Sequence, residues 1–184
     1  NCTTPANYFH LLRRQLKRDF RKPLVVFTPK KLLRYPKAVS TIEELASGSF
    51  QEVIDDAKAV PSNVDTVVMC SGKVYYDLLE ELEKAGGADN IAIVRVEQLY
   101  PLPINQLNGI VDKYGKEKKY IWMQEEPENM GAWSYMLRKF RTVELNVVSP
   151  SESASPAAGS SKVHEIRHKK MLGKIIAHAK VKVS

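Results

Sequence analysis

From Asn63 onward the chain alternates short apolar runs with segments of helical period, and this alternation limits the fold more than any other feature. DTVVMCSG, NIAIVRVEQLYPLP, YIWMQEE and VELNVVS read as strands, because continuous β-branched and aromatic runs of this length suit a strand covered on both faces. Between them, KVYYDLLEELEKAGG carries Val74, Leu78 and Leu82 along one helical face and stops at Gly86-Gly87. Ile104, Leu107, Ile110 and Val111 mark the next helix, and NMGAWSYMLRKF a further one. Strand and helix in regular succession imply right-handed crossovers, hence an α/β, doubly wound, mainly parallel sheet with helices on both faces. SPSESASPAAGSS breaks the pattern as a surface loop, and Val163, Ile166, Met171, Ile175 and Ile176 outline a closing helix.

The part before Asn63 is organised differently. Thr3-Thr4-Pro5 supplies a cap and a first-turn proline for a helix on which Tyr8, Leu11, Leu12 and Leu16 recur at helical spacing. LVVFTP follows Arg21-Lys22-Pro23 and reads as a buried strand ended by proline. Pro29 to Asp56 is irregular, with a capping box at Thr41-Ile42-Glu43-Glu44 and a candidate strand in FQEVI. These signals divide the chain into a helix-strand unit over 1–30, a linker with the first elements of a second domain over 31–62, and that domain over 63–184.

With 184 residues, 43% of them hydrophobic, the chain can bury a sizeable core. No apolar run approaches the roughly 20 residues that span a bilayer, and NCTTPANYFH lacks the order of a secretory signal. The missing initiator Met and the abrupt opening read as a piece of a longer polypeptide. Cys2 and Cys70 are too few for a disulfide scaffold and point to a reducing compartment. The net charge of +7 is concentrated at the two ends. Arg13, Arg14, Lys17, Arg18, Arg21, Lys22, Lys30, Lys31, Arg34 and Lys37 have only Asp19 among them, and a second group runs from Arg167 through Lys182. Such ends suit an acidic protein surface, an anionic cofactor or nucleic acid. The aromatic residues lie inside apolar patterns rather than between the cations, which argues against nucleic acid.

Three loops at the expected carboxyl ends of strands are candidates for chemistry: Ser71-Gly72-Lys73, Gln98 to Pro101, and Gln124 to Gly131. The first offers backbone donors and a lysine at a helix start, which suits an anion, but it is neither a phosphate-binding P-loop nor a dinucleotide fingerprint. His164-Glu165-Ile166-Arg167-His168 matches H-E-x-x-H formally, yet it lies in a basic terminal helix without a third ligand motif, and chance explains it better than zinc. Glu125 and Glu126 are consecutive, so their side chains diverge on leaving a strand and are poorly placed to share one proton. The expectation is that Glu125 or Glu126 turns inward to fix the loop with Asn129 and Gly131, accepting backbone donors near the next helix start or pairing with an arginine such as Arg95 on the neighbouring strand.

NYFHLLRRQ, RKPLVVFTPKKLLRYP, VVMCSGKVYYDL, IAIVRVEQLYPLP, QEEPENMGAW and SASPAAG, in this order, resemble the carboxyl-terminal part of the decarboxylating component of the 2-oxoglutarate dehydrogenase complex. The resemblance implies a transketolase C-terminal-like domain preceded, over residues 1–30, by the tail of a pyrimidine-binding domain. It further implies a thiamine diphosphate and magnesium enzyme that oxidatively decarboxylates 2-oxoglutarate and succinylates a lipoyl arm, with its cofactor segment and catalytic histidines upstream of Asn1. This chain alone would then hold no catalytic or cofactor-binding residue and be inactive. The implied partners are the rest of the subunit, a second subunit of a homodimer and the dihydrolipoyl succinyltransferase core, with neither nucleic acid nor membrane. The implied location is the bacterial cytoplasm or the mitochondrial matrix. Some actinobacterial relatives bind acetyl-CoA as an activator in this region, and Arg14 and Arg95 match arginines expected there. Ser49, Glu52 and Ser149-Pro150 depart from that pattern, and a glutamate facing phosphates is unfavourable. The alternative outside this family is a stand-alone anion- or nucleic-acid-binding α/β module.

Overall fold

A two-residue strand, β1 (Val53–Ile54), edges a five-stranded sheet completed by β2 (Thr66–Cys70), β3 (Ile91–Val96), β4 (Lys119–Met123) and β5 (Leu145–Val148). The strand order is β1-β3-β2-β4-β5; β1 runs antiparallel to β3, and the other pairings are parallel. This computed structural model describes residues 2–180, so Lys182 of the second basic cluster lies outside the described residues.

All five residues of β2 are buried because alternate side chains enter two different cores. Val67 and Met69 join Leu107, Ile110, Met136 and Phe140 on one face, while Val68 and Cys70 join Val74, Leu78, Leu82 and Ile175 on the other. The first face is covered by α4 (Ile104–Tyr114) and α5 (Trp133–Lys139), and the second by α3 (Val74–Lys84) and α6 (Ser161–Ile176). This is the doubly wound, mainly parallel α/β sheet that the alternating pattern implies. Helix α3 ends where Gly86 and Gly87 take φ of 96° and 85°, a region that favours glycine. Met171, Leu172 and Ile175 bury the second half of α6, and Asn90 fastens the chain beyond it by accepting from the Lys180 amide at 2.8 Å and donating to the His178 carbonyl at 2.9 Å.

The amino-terminal elements depart from expectation. Helix α1 (Pro5–Lys17) is capped by Thr4 as its sequence indicates, but the face it buries is Ala6, Asn7 and His10, while Leu12 and Leu16 stay exposed. Polar residues enter because each finds a partner: Asn7 Nδ2 donates to the Gln51 carbonyl at 3.0 Å, and His10 Nε2 donates to the Glu44 carbonyl at 2.8 Å. Helix α2 (Ile42–Ala46) has both bonds of the capping box at Thr41 and Glu44. The LVVFTP run, read from its composition as a buried strand, belongs to no strand, and Val25 and Phe27 are 71% and 85% exposed. The sheet of this domain ends at β1, so composition alone placed a strand where no neighbour exists.

Candidate functional site

Strand order brings the loops after β2, β3 and β4 to one edge, around a cavity of about 540 Å³ lined by Ser71, Leu99, Tyr100, Gln124, Glu126 and Tyr135. The chain winds to β3 on one side of β2 and then crosses to β4 on the other, which makes this the switch point where ligands of open α/β sheets bind. The Tyr100–Pro101 peptide in the second loop is cis.

Gln124 organises the third loop. It is 3% exposed, and its Oε1 accepts from Trp122 Nε1 and from the Trp133 amide, each at 2.9 Å. Its Nε2 donates to the carbonyls of Met130 at 2.7 Å, Pro127 at 3.1 Å and, more weakly, Glu126 at 3.3 Å. A side-chain amide thus supplies the partners that a strand or helix would otherwise give this backbone. Gly131 closes the loop at φ 66°, where a Cβ would lie 3.0 Å from both polar atoms of Gln124. Asn129 then ties this loop to the next, donating to the Ser153 carbonyl and accepting from the Ser153 amide, both at 3.1 Å.

The two glutamates separate. Glu126 is exposed, whereas Glu125 turns in and pairs with Lys73, not with Arg95. The correction has a simple cause: β3 and β4 are not neighbours, since β2 lies between them. Arg95 therefore starts about 10 Å from the end of β4, two strand spacings away, while Lys73 follows β2 directly. Lys73 also donates to Asp77 at 2.6 Å, and Asp77 meets His168 Nε2 at 3.3 Å. Burial by itself would raise the Asp77 pKa and lower that of Lys73, but their hydrogen bonds and charges prevail in both. The net result holds the Asp77 carboxyl well below the usual carboxylate range and lifts the Lys73 ammonium above its ordinary value. The Ser71-Gly72-Lys73 turn has accordingly committed its cation to two internal carboxylates.

Asp77, Glu125 and His168 form the one group of three potential metal ligands among the described residues, a convergence invisible in the sequence because the three lie on separate elements. The Lys73 ammonium contacts both carboxylates and fills the role of the cation. Within the HEIRH segment Glu165 pairs with Lys169 at 3.0 Å, and the two histidine rings stack 5.7 Å apart while His168 reaches Asp77.

A second network joins the amino terminus to the end of β3. Glu97, 8% exposed, accepts from the Thr3 amide and Asn7 Nδ2, each at 2.9 Å, and from Thr3 Oγ1 at 2.5 Å. Arg95 donates to Thr3 Oγ1 at 3.0 Å and lies over the Tyr75 ring at 4.4 Å. Arg14 donates to Gln98 Oε1 at 2.8 Å and covers the Phe50 ring at 3.9 Å, while Glu52 accepts from Gln98 and Gln106. Beside Arg95 a smaller cavity of about 270 Å³ is bordered by His10, and His10 Nδ1 and Arg95 Nε lack hydrogen-bond partners.

An open α/β sheet with helices on both faces and strand-end loops closed by their own hydrogen bonds is the architecture of a transketolase C-terminal-like domain. Residues 39–176 match the family described as 2-oxoglutarate dehydrogenase C-terminal, and the chain belongs to that family. It is 48% identical over 177 residues to the 2-oxoadipate dehydrogenase complex component E1 of Rattus norvegicus, covering 94% of this chain and 19% of the relative. The Homo sapiens protein of the same description is 46% identical, with 95% and 20% covered. The 2-oxoglutarate dehydrogenase E1 component of Rickettsia felis is 45% identical, with 92% and 18% covered. The chain spans about a fifth of the length of these curated relatives and corresponds to the C-terminal region of E1.

Proposed function

We propose that the chain is the assembly and scaffold portion of an E1 subunit that oxidatively decarboxylates a 2-oxo dicarboxylic acid and passes the acyl group to a lipoyl arm. Identity of 45–48% to E1 components along nearly the whole chain carries this reading. The commitment of its strand-end carboxylates to internal partners supports the structural role: Glu125 to Lys73, and Glu97 to Thr3 and Asn7. The three-ligand group among the described residues does not suit magnesium, because the Lys73 ammonium already contacts both of its carboxylates. The thiamine diphosphate cofactor would sit on segments of the subunit outside this chain, and this domain would pack on those segments and on a second subunit.

The relatives' names divide between 2-oxoglutarate and 2-oxoadipate, acids that differ by one methylene; our reading is 2-oxoglutarate with succinyl transfer. The test is turnover of the full-length subunit, assembled with its acyltransferase partner, on each acid. Activity on neither would overturn the assignment. Glu125→Gln in the same subunit should lower stability or dimer content before the chemical step. A selective loss of turnover in a normally assembled dimer would make Glu125 catalytic. Arg14 and Arg95 have structural partners here, and titration calorimetry with acetyl-CoA tests the effector reading: heat of binding would reinstate it, and none would dismiss it.

A further inference from the structure

The cavity at the strand-end edge is walled by aromatic rings and carboxylates. Tyr100, 82% exposed, follows β3, and Tyr135 lies on α5; their rings stand 6.5 Å apart between centroids and are tilted by 59°. Trp122 of β4 adds a third ring to the lining. Glu125 and Glu126 are its two acids. Glu125 pairs with Lys73, whereas Glu126 is exposed and has no ion-pair partner among the described residues. Among those residues no Lys, Arg or His lines the cavity.

We propose that this cavity binds a small organic ammonium ion with an apolar body, its cationic head between the Tyr100 and Tyr135 rings and its charge balanced by Glu126. An aromatic face attracts a cation within about 6 Å of its centroid, and an ion in the angle between these two rings reaches both. The Glu126 carboxylate adds a full negative charge to the same lining. Leu99, Ala132 and the Trp122 ring supply the apolar surface that covers the body. At about 540 Å³ the space is of the size that takes a whole small molecule rather than one inserted side chain. The same lining rejects anions. A phosphate or carboxylate would meet Glu126 and find no cation, because Lys73 is held by Glu125 and Asp77. Gln124 does not compete for the ligand, since both polar atoms of its side chain are taken by Trp122, Trp133 and the loop carbonyls. Binding here uses residues of this chain alone, so it stands or falls separately from the E1 assignment.

Equilibrium dialysis with benzyltrimethylammonium tests the site in the 184-residue chain and in the full-length subunit. Saturable uptake is expected in both, about tenfold tighter than that of tetramethylammonium, which has the head without the body, and benzoate should not bind. Tyr135→Ala and Glu126→Gln should each weaken uptake about fivefold or more, while Tyr135→Phe, which keeps the ring, retains it. Absence of saturable uptake in the 184-residue chain overturns the proposal. So do equal affinity for benzoate and uptake unchanged by Tyr135→Ala or Glu126→Gln. Equal affinity for tetramethylammonium also overturns it, since the site would then fit a side-chain head and not a small molecule. Tyr135-dependent uptake that the short chain shows and the full-length subunit lacks would make the cavity a contact surface within the subunit, and would equally overturn it.

Discussion

Gln124 shows how one side chain can hold a loop that has no regular structure. Replacing it by leucine keeps the size but leaves the Trp122 indole N–H, the Trp133 amide and the Met130 and Pro127 carbonyls without their partner. Each buried unpaired group costs about 1–3 kcal/mol, and relaxation recovers part of the sum, so Gln124→Leu should destabilise by about 2–4 kcal/mol in urea unfolding. A change below about 1 kcal/mol would mean that water replaces the amide. Cys70 is fully buried, and burial pushes its thiol up to about 12, with Glu97 adding to the rise and Arg95 opposing it. Thiolate is the reactive form, so Cys70 should resist iodoacetamide at pH 8 until the chain unfolds. Native-state labelling at a model-thiol rate would contradict its placement between β3 and β4.

At the scale of elements, Asp77 joins α3 to α6. Helix α6 is exposed through its first half except near His168, so the His168–Asp77 contact is its polar attachment ahead of the apolar anchor at Met171, Leu172 and Ile175. The folded-state pKa of Asp77 lies below the ordinary value of about 3.9, so its contribution is fully present above about pH 4 and is lost as pH falls through the folded value. Asp77→Asn should therefore lower stability at pH 6 and reduce the further loss between pH 5 and pH 2.5. Parallel pH profiles for mutant and parent would show that Asp77 adds nothing. The element-scale surprise is α1, whose buried face is set by hydrogen-bond partners rather than by its leucines. Of its apolar stripe, Tyr8 and Leu11 are half-buried, and Leu12 and Leu16 stay exposed.

For the whole molecule, charge is polarised along the chain: residues 38–166 carry 20 acidic residues against 12 Lys and Arg, so an acidic middle separates two basic ends. No helix among the described residues is long and apolar enough to cross a membrane. A nucleic-acid surface would alternate stacking aromatics with cations, yet Trp122, Tyr120 and Phe140 are buried in the core. Fluorescence anisotropy with a single-stranded oligonucleotide should thus show only weak association that disappears by about 0.2 M salt. Tight binding that survives such salt would favour the nucleic-acid alternative.

Periodicity alone disclosed the strands and helices from Thr66 to Ile176, the caps at Thr4 and Thr41, and the two-faced burial of β2, because these follow from local sterics and from apolar residues repeating at 2.0 or 3.6. The spacing also showed that Glu125 and Glu126 diverge. What no local signal contains is adjacency. Strand order alone put Lys73 rather than Arg95 against Glu125, gathered Asp77 and His168 from separate helices, and left Leu24–Phe27 outside the sheet. Those are long-range pairings, chosen by which surfaces the packed sheet brings within a few ångströms, and a single chain read residue by residue carries no measure of that distance.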